Sequence, residues 1–425
     1  MKKTLAIAAI LILCGSIVFA APAKKITVLG VWGGQELDVF TAMSKAFTDK
    51  TGIQVEFEGT RDLDAVITTR VEAGNPPDIV ALPGPGKMIE LANKGKLTDL
   101  STILDMNAFS KNYAQGWKDL GSVNGKLYGI FVKAAVKGLV WYNPKALKAA
   151  DLDEPKNGWT WDDMLAASAK IQALGKSPWA VGIESGSASG WVGTDWIENI
   201  FLRQNGPQMY KDWYEGKVSW TSPEMKKAWQ TFGQIVADPK MAYGGAAYIN
   251  STNFGNAAAP LFMEPAQAFY HMQASFIQSF IMTQFPNAKP VTDFNFVGFP
   301  SINTKYSKAM EVAADLFVTF RSTPEVKEFM NFVASAEAQA FWAAGTGGLG
   351  TNRNVALTFY PDALTKRAAS LLNDTEIVVF DASDMMKPEM NNAFWAAVVS
   401  YVNKPANLDS ILANLEKVRK DVYKN

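Results

Sequence analysis

The 425-residue chain carries 41 basic and 41 acidic side chains, one histidine and one cysteine. Balanced charge leaves no field to hold nucleic acid or an anionic membrane, and a lone His and Cys lack the clustered ligands that zinc, haem or redox centres need. Thirteen tryptophans are many for this length; most must serve as core, and the remainder suit the apolar faces of sugar rings.

Lys2 and Lys3 precede an apolar run from Leu5 to Val18 and then small residues, the pattern of a secretory signal. The run is shorter than the roughly 20 residues that cross a bilayer. Cleavage after Ala20 or after Ala23 satisfies the small-residue rule, and Pro22 crowds the later cut. Leu13 stands where lipidation of Cys14 needs a small residue, so Cys14 is expected to leave with the signal. The expected protein is exported, periplasmic or extracellular, with no thiol, no metal site and no cofactor. Its length, about 400 mature residues, exceeds what one core serves and implies two domains.

Ile26–Gly30 reads as a strand, Leu37–Lys50 as a helix and Ile53–Glu58 as a strand. The unit then repeats as helix Leu63–Ala73, strand Asp78–Leu82 and helix Lys87–Lys94. This is α/β winding with a largely parallel sheet, whose ligands sit beyond the carboxyl ends of the strands. That rule selects the loops Val31–Glu36, Gly59–Asp62 and Pro83–Gly86. Strands Tyr128–Val132 and Gly138–Tyr142 follow, separated by Lys133–Lys137, and then a region of helices: Trp161–Leu174, Thr194–Gln204, Pro223–Ala237 and Ala266–Phe285. Asn295–Pro300 and Ala309–Thr319 return to strand and read as crossings between lobes.

The segments ITVLGVWGGQE, FTDKTGIQVEFEG, AGNPPDIVALPGPG, GKLTDLS and NGKLYGIFVKAAVKGLVWYNPKAL, in that order, resemble the carbohydrate-binding subunits of bacterial ABC importers, the group that includes maltose-binding protein. PWAVGIESGSASGWVGTDWIENIFLR, STNFGNAAAPLF, YHMQASFI and VVFDASDMM followed by NNAFWAAV resemble its α-glucoside-binding branch. The resemblance implies a two-lobe, periplasmic-binding-protein-like α/β fold, with a hinge crossed several times and sugar held in the cleft for a membrane permease. Residues 24–133 with about 297–350 are expected to form one lobe, and about 134–296 with 351–425 the other. Phe131, Ala313-Ala314 and Val399 depart from the family pattern, so a maltose-like pose does not carry over residue for residue.

Trp32 and Glu36 lie on the first strand-to-helix loop, where an aromatic face and a carboxylate meet a polyol; Glu36 equally suits a helix N-terminus. Asp62, on the next loop, suits paired hydroxyls, and Lys133 sits at an expected crossing. Glu184, Trp191 and Asp195 belong to a stretch that sets glycines and serines beside tryptophans, too open for a core helix. Asn253 stands in a turn, placed to donate to a sugar oxygen. His271 and Gln273 share a face if YHMQ is extended, although a lone histidine is more often structural. Thr351 and Arg353 follow the glycine-rich AAGTGGLG, at a junction where arginine clamps hydroxyls or glycines merely cap a helix. Trp395 is assigned to sugar stacking by the resemblance alone; periodicity reads it as core.

These features describe a non-catalytic, monomeric receptor for an α-glucoside or related small oligosaccharide. Two rivals remain open on sequence. A secreted glycoside hydrolase also sets carboxylates beside tryptophans, and a pair drawn from Glu36, Asp62 and Glu184 meets that need. A receptor for a peptide, polyamine or other non-sugar solute is the second.

Overall fold

The computed structural model describes residues 24–374 and 377–424. The expected signal, 1–20 or 1–23, and Cys14 within it lie outside the described residues. Eleven strands are described: β1 (Lys25–Gly30), β2 (Gln54–Gly59), β3 (Ile79–Leu82), β4 (Ser122–Val123), β5 (Lys126–Leu127), β6 (Ile130–Val136), β7 (Leu139–Tyr142), β8 (Tyr270–Gln273), β9 (Asn295–Gly298), β10 (Ala309–Thr319) and β11 (Ile377–Phe380).

A six-stranded sheet has the order β11-β10-β3-β1-β2, with β6 on the other edge of β10. β1 runs parallel to β2 and β3, and β10 parallel to β11, but β10 is antiparallel to β3 and β6. The sheet is therefore mixed rather than largely parallel, because β10 re-enters it from the opposite direction. The helix Gly34–Thr51 covers it with Val39, Phe40, Met43 and Phe47, three or four residues apart on one face. A second sheet, β8-β7-β9, is wholly antiparallel.

Two expectations change. Lys133 to Lys137 does not separate two strands: Ala134–Val136 pair with Val312–Ala314 of β10, so β6 continues to Val136 and only Lys137-Gly138 turns before β7. The expected helix Ala266–Phe285 is shorter, Ile277–Gln284, because Tyr270–Gln273 hydrogen-bond along β7 as a strand.

The chain leaves the first sheet after β6, returns between β9 and β10, and leaves again after β11. Those three passages are the hinge of a two-lobe α/β fold. β11 lies in the first sheet, whereas the sequence reading placed all of 351–425 with the other lobe. Ten of the thirteen tryptophans are buried, among them Trp179 and Trp196 at the two ends of the tryptophan-rich stretch. Only Trp117, Trp191 and Trp395 keep partial exposure.

Candidate ligand cleft

The carboxyl ends of β1, β2 and β3 open onto a cavity of about 390 Å³. Its near wall carries Trp32, Glu36, Arg61, Asp62 and Gly84, from the three loops that the strand-end rule selected. Its far wall carries Trp191 and Asp195 from the helix Trp191–Asn205, and Asn391 and Trp395 from the helix Pro388–Asn403. Gly190 lets these two helices meet. Its φ of 111° is left-handed, and a Cβ there would sit 2.3 Å from the Trp395 carbonyl oxygen.

Two lysines of the first crossing are each held between two carboxylates. Lys133 Nζ donates to Glu36 and lies 3.0 Å from Asp315 Oδ2, which also accepts from Trp32 Nε1 at 2.6 Å. The same ammonium lies 5.1 Å from the Trp342 ring centroid. Lys137 Nζ donates to both oxygens of Asp195, at 2.9 and 2.8 Å, and lies 3.0 Å from Asp381 Oδ2 and 4.9 Å from the Trp191 ring. Burial pushes the Asp195 carboxyl up. Against that same burial, Lys137 and the Asp384 amide hold Asp381 below the usual carboxylate range, so Asp381 keeps the charge of the pair.

The polar face of the helix Trp191–Asn205 continues this network inside the protein. Glu198 accepts from the amides of Ala382 and Ser383, at 2.7 and 3.3 Å, which fixes the third crossing. Asn199 donates to Glu311 at 2.8 Å, and Arg203 donates to the Ala309 carbonyl at 3.0 Å. Carboxylate oxygens of Asp195, Glu311 and Asp381 lie within 4.8 Å of one another, but Lys137 already occupies the space against two of them.

Of the expected contacts, Trp32, Glu36, Asp62, Lys133, Trp191, Asp195 and Trp395 line the cavity. Trp32 does so mainly by an edge, since only 3% of it is exposed and its Nε1 is committed to Asp315. Trp191 and Trp395 are half-buried, and the Nε1 of each is buried without a hydrogen-bond partner among the described residues.

The other six lie outside the cavity lining. Glu184 accepts from the Gly186 amide at 2.7 Å and from Asn253 Nδ2 at 2.8 Å, bonds that lower its pKa. Glu184 and Asn253 thus satisfy each other and shape the Ser185–Ala188 turn. His271 is 1% exposed, bonded through Nδ1 to the Ala180 carbonyl at 2.8 Å, and desolvation pulls its pKa down to about 4. Gln273 is fully buried and accepts from the Ala274 amide. Thr351 donates to the Phe131 carbonyl at 2.6 Å, and Arg353 points to the exposed surface. Lys137, Asp315, Asp381, Asp384 and Asn391 line the cavity without having been singled out. The signal in DASDMM and NNAFW was present, but only its tryptophan had been given a role.

Across the cleft mouth, Arg61 Nη2 donates to Ser185 Oγ at 2.5 Å, and Ser187 Oγ donates to the Arg61 carbonyl at 2.8 Å. These bonds join the loop after β2 to the turn before Trp191.

Residues 33–340 match the model of the bacterial extracellular solute-binding proteins. The chain belongs to that family. Its relatives include an osmoprotective compounds-binding protein, GgtB, from a Synechocystis species, 36% identical over 89% of each chain. Another is the alpha-glucosides-binding periplasmic protein AglE of Rhizobium meliloti, 32% identical over 93% of this chain and 86% of that one. Among solved structures the fold is similar to that of the bacterial solute receptor AcbH, with a TM-score of 0.80 at 19% identity, covering 95% of this chain and all of that one. The receptor is thus an extracellular solute-binding protein and not an enzyme. Among the described residues no helix is long and apolar enough to cross a membrane.

Proposed function

We propose that the cleft binds a small, neutral α-glucoside and delivers it to the membrane permease. The observation that carries this reading is the state of the cleft's cations. Lys133 and Lys137 each sit between two carboxylates, Lys87 lies 2.8 Å from Glu90 and 3.5 Å from Asp64, and Arg61 is engaged by Ser185. Among the described lining residues every lysine is thus neutralised by carboxylates, and an anionic ligand would have to rely on Arg61 alone, whose guanidinium is bonded to a neutral hydroxyl. Two half-buried indoles, Trp191 and Trp395, remain, and they suit the apolar face of a sugar. The name of the 32%-identical relative supports an α-glucoside.

The name of the 36%-identical relative favours a second reading, an osmoprotective solute; a neutral glucoside satisfies both. Binding couples to closure of the lobes about the three crossings, with residues 24–136 and about 309–380 on one side and 139–298 with 382–424 on the other. We further infer an exported monomer whose signal is removed.

Calorimetric titration tests the ligand. Trehalose, sucrose, maltose and methyl α-D-glucopyranoside form one arm, with glycine betaine and α-D-glucose 1-phosphate as contrasts. Micromolar binding to at least one of the four glucosides, with the phosphate at least about 100-fold weaker, is expected. Heat from betaine alone moves the assignment to the osmoprotectant reading, and tight binding of the phosphate overturns the argument from paired cations.

A further inference from the structure

Two carboxyl groups that line the cleft, Asp62 and Asp384, have no side-chain partner among the described residues, and of the two only Asp384 is withdrawn from the exposed surface. Asp384 lies on the short helical turn Ala382–Met385, immediately after the third crossing, and lines the cavity. Its backbone is fixed, since its amide donates to Asp381 Oδ1 at 3.1 Å. The loop after β3 closes directly on it: a Cβ on Gly84 would fall 2.4 Å from the Asp384 Cβ. Glycine at 84 is what allows this approach, so the carboxyl is held in place by both walls.

Yet among the described residues that carboxyl has neither a hydrogen-bond nor an ion-pair partner. Lys137, Asp195, Asp315 and Asp381 act on it only through space. The elements packed around its turn bring Lys87 and Glu90, Lys211 and Asp212, and Glu389, and none of these forms an ion pair with it. Unlike a sealed polar group, the Asp384 carboxyl keeps exposure at the cavity wall, so a rigidly held acid is presented there to whatever enters the cleft. Asn391 and Trp395 line the same cavity, although Asn391 Oδ1 and Trp395 Nε1 themselves are buried and have no partner among the described residues.

We propose that Asp384 is a ligand-contacting, specificity-determining residue, whose carboxyl bonds a hydroxyl of the neutral glycoside. This rests on the sugar-receptor reading above. Burial first, and Asp381 second, push the Asp384 carboxyl well above the usual range, which favours the protonated form. A protonated acid both donates and accepts, as an amide does. Asparagine is therefore a close replacement and alanine is not.

The test takes whichever of trehalose, sucrose, maltose or methyl α-D-glucopyranoside binds the wild-type protein most tightly, and titrates it into Asp384→Asn and Asp384→Ala. Asp384→Ala is expected to bind at least about tenfold more weakly and Asp384→Asn within about threefold of wild type. Unliganded melting temperature supplies the second readout. A residue serving the fold lowers it when truncated, whereas removal of an unpartnered carboxyl leaves it unchanged or raises it. Wild-type affinity in Asp384→Ala, equal losses in both variants, or a lost affinity that tracks a lowered melting temperature overturns the proposal alone. If the wild-type protein binds none of the four sugars, the α-glucoside reading falls and this inference falls with it.

Discussion

Lys133 and Lys137 stand four residues apart on the same crossing, and each is clasped by two carboxylates, but the two clasps differ in what surrounds them. Around Lys133 the three side chains remain 11, 17 and 18% exposed, whereas Lys137, Asp195 and Asp381 are only 6, 2 and 2% exposed. Both clasps line the cavity and both ammonium groups lie near an indole, but the first is the more open to the cleft, whereas the second is nearly sealed against the polar face of the helix Trp191–Asn205 and ties three chain segments together. We infer that similar chemistry serves recognition in one place and the integrity of the hinge in the other.

Removing each ammonium separates the two roles. Lys137→Met leaves two carboxylates in the interior, and loss of one partner of a buried pair costs about 3–5 kcal/mol. Lys133→Met leaves its carboxylates beside cleft water, so a stability loss of about 1–2 kcal/mol is expected, with a clear loss of sugar affinity. Urea unfolding and titration on both variants check this. Equal destabilisation by the two substitutions breaks the comparison.

The sealed clasp also predicts a pH dependence. The Asp195 carboxyl rises from its ordinary 3.8 to about 7 through burial, partly offset by Lys137. A carboxyl whose folded pKa is raised binds more protons folded than unfolded, so its contribution is complete below its ordinary pKa and is lost as pH climbs through the folded value. Asp381 is shifted the other way, and its contribution is lost only as pH falls through its lowered value. Stability is expected to decline by about 2 kcal/mol between pH 5 and pH 7. Asp195→Asn should flatten that slope, as urea midpoints at the two pH values report. An unchanged slope removes Asp195 as its source.

How far the sequence disclosed this arrangement depended on whether the signal was local. The loops after β1, β2 and β3 were legible because strand ends in a wound sheet place ligands by rule, and the extent of β10 was read correctly from its apolar run. Trp191 and Trp395 were reached by context and resemblance, since each sits on a helix whose periodicity equally suits core. The failures were non-local. Glu198, Asn199 and Arg203 follow Asp195 at helical spacing and look like a solvated stripe, and only the passage of three crossings beneath that stripe buries it. Glu184 and Asn253 find each other across 69 residues, and His271 meets the Ala180 carbonyl across 91. No pattern along the chain announces such partners. Conversely, Asp384 was overlooked because a short acidic turn carries no periodicity at all.

The smallest expected effect belongs to the cleft mouth, where a third charged residue, Arg61, is paired with neutral groups instead of carboxylates. Its guanidinium is held by Ser185 Oγ, and its carbonyl by Ser187 Oγ. Arg61→Ala removes the first bond and keeps the second, because the second uses only backbone on the Arg61 side. A single hydrogen bond at a wetted rim contributes about 0.5–1.5 kcal/mol, so affinity should fall by no more than about tenfold, with melting temperature nearly unchanged. The loss should appear mainly as faster ligand release, because the bond joins the two walls only when they have closed. Stopped-flow tryptophan fluorescence separates the two rates, and an effect confined to association would show that Arg61 steers the ligand and does not latch the cleft.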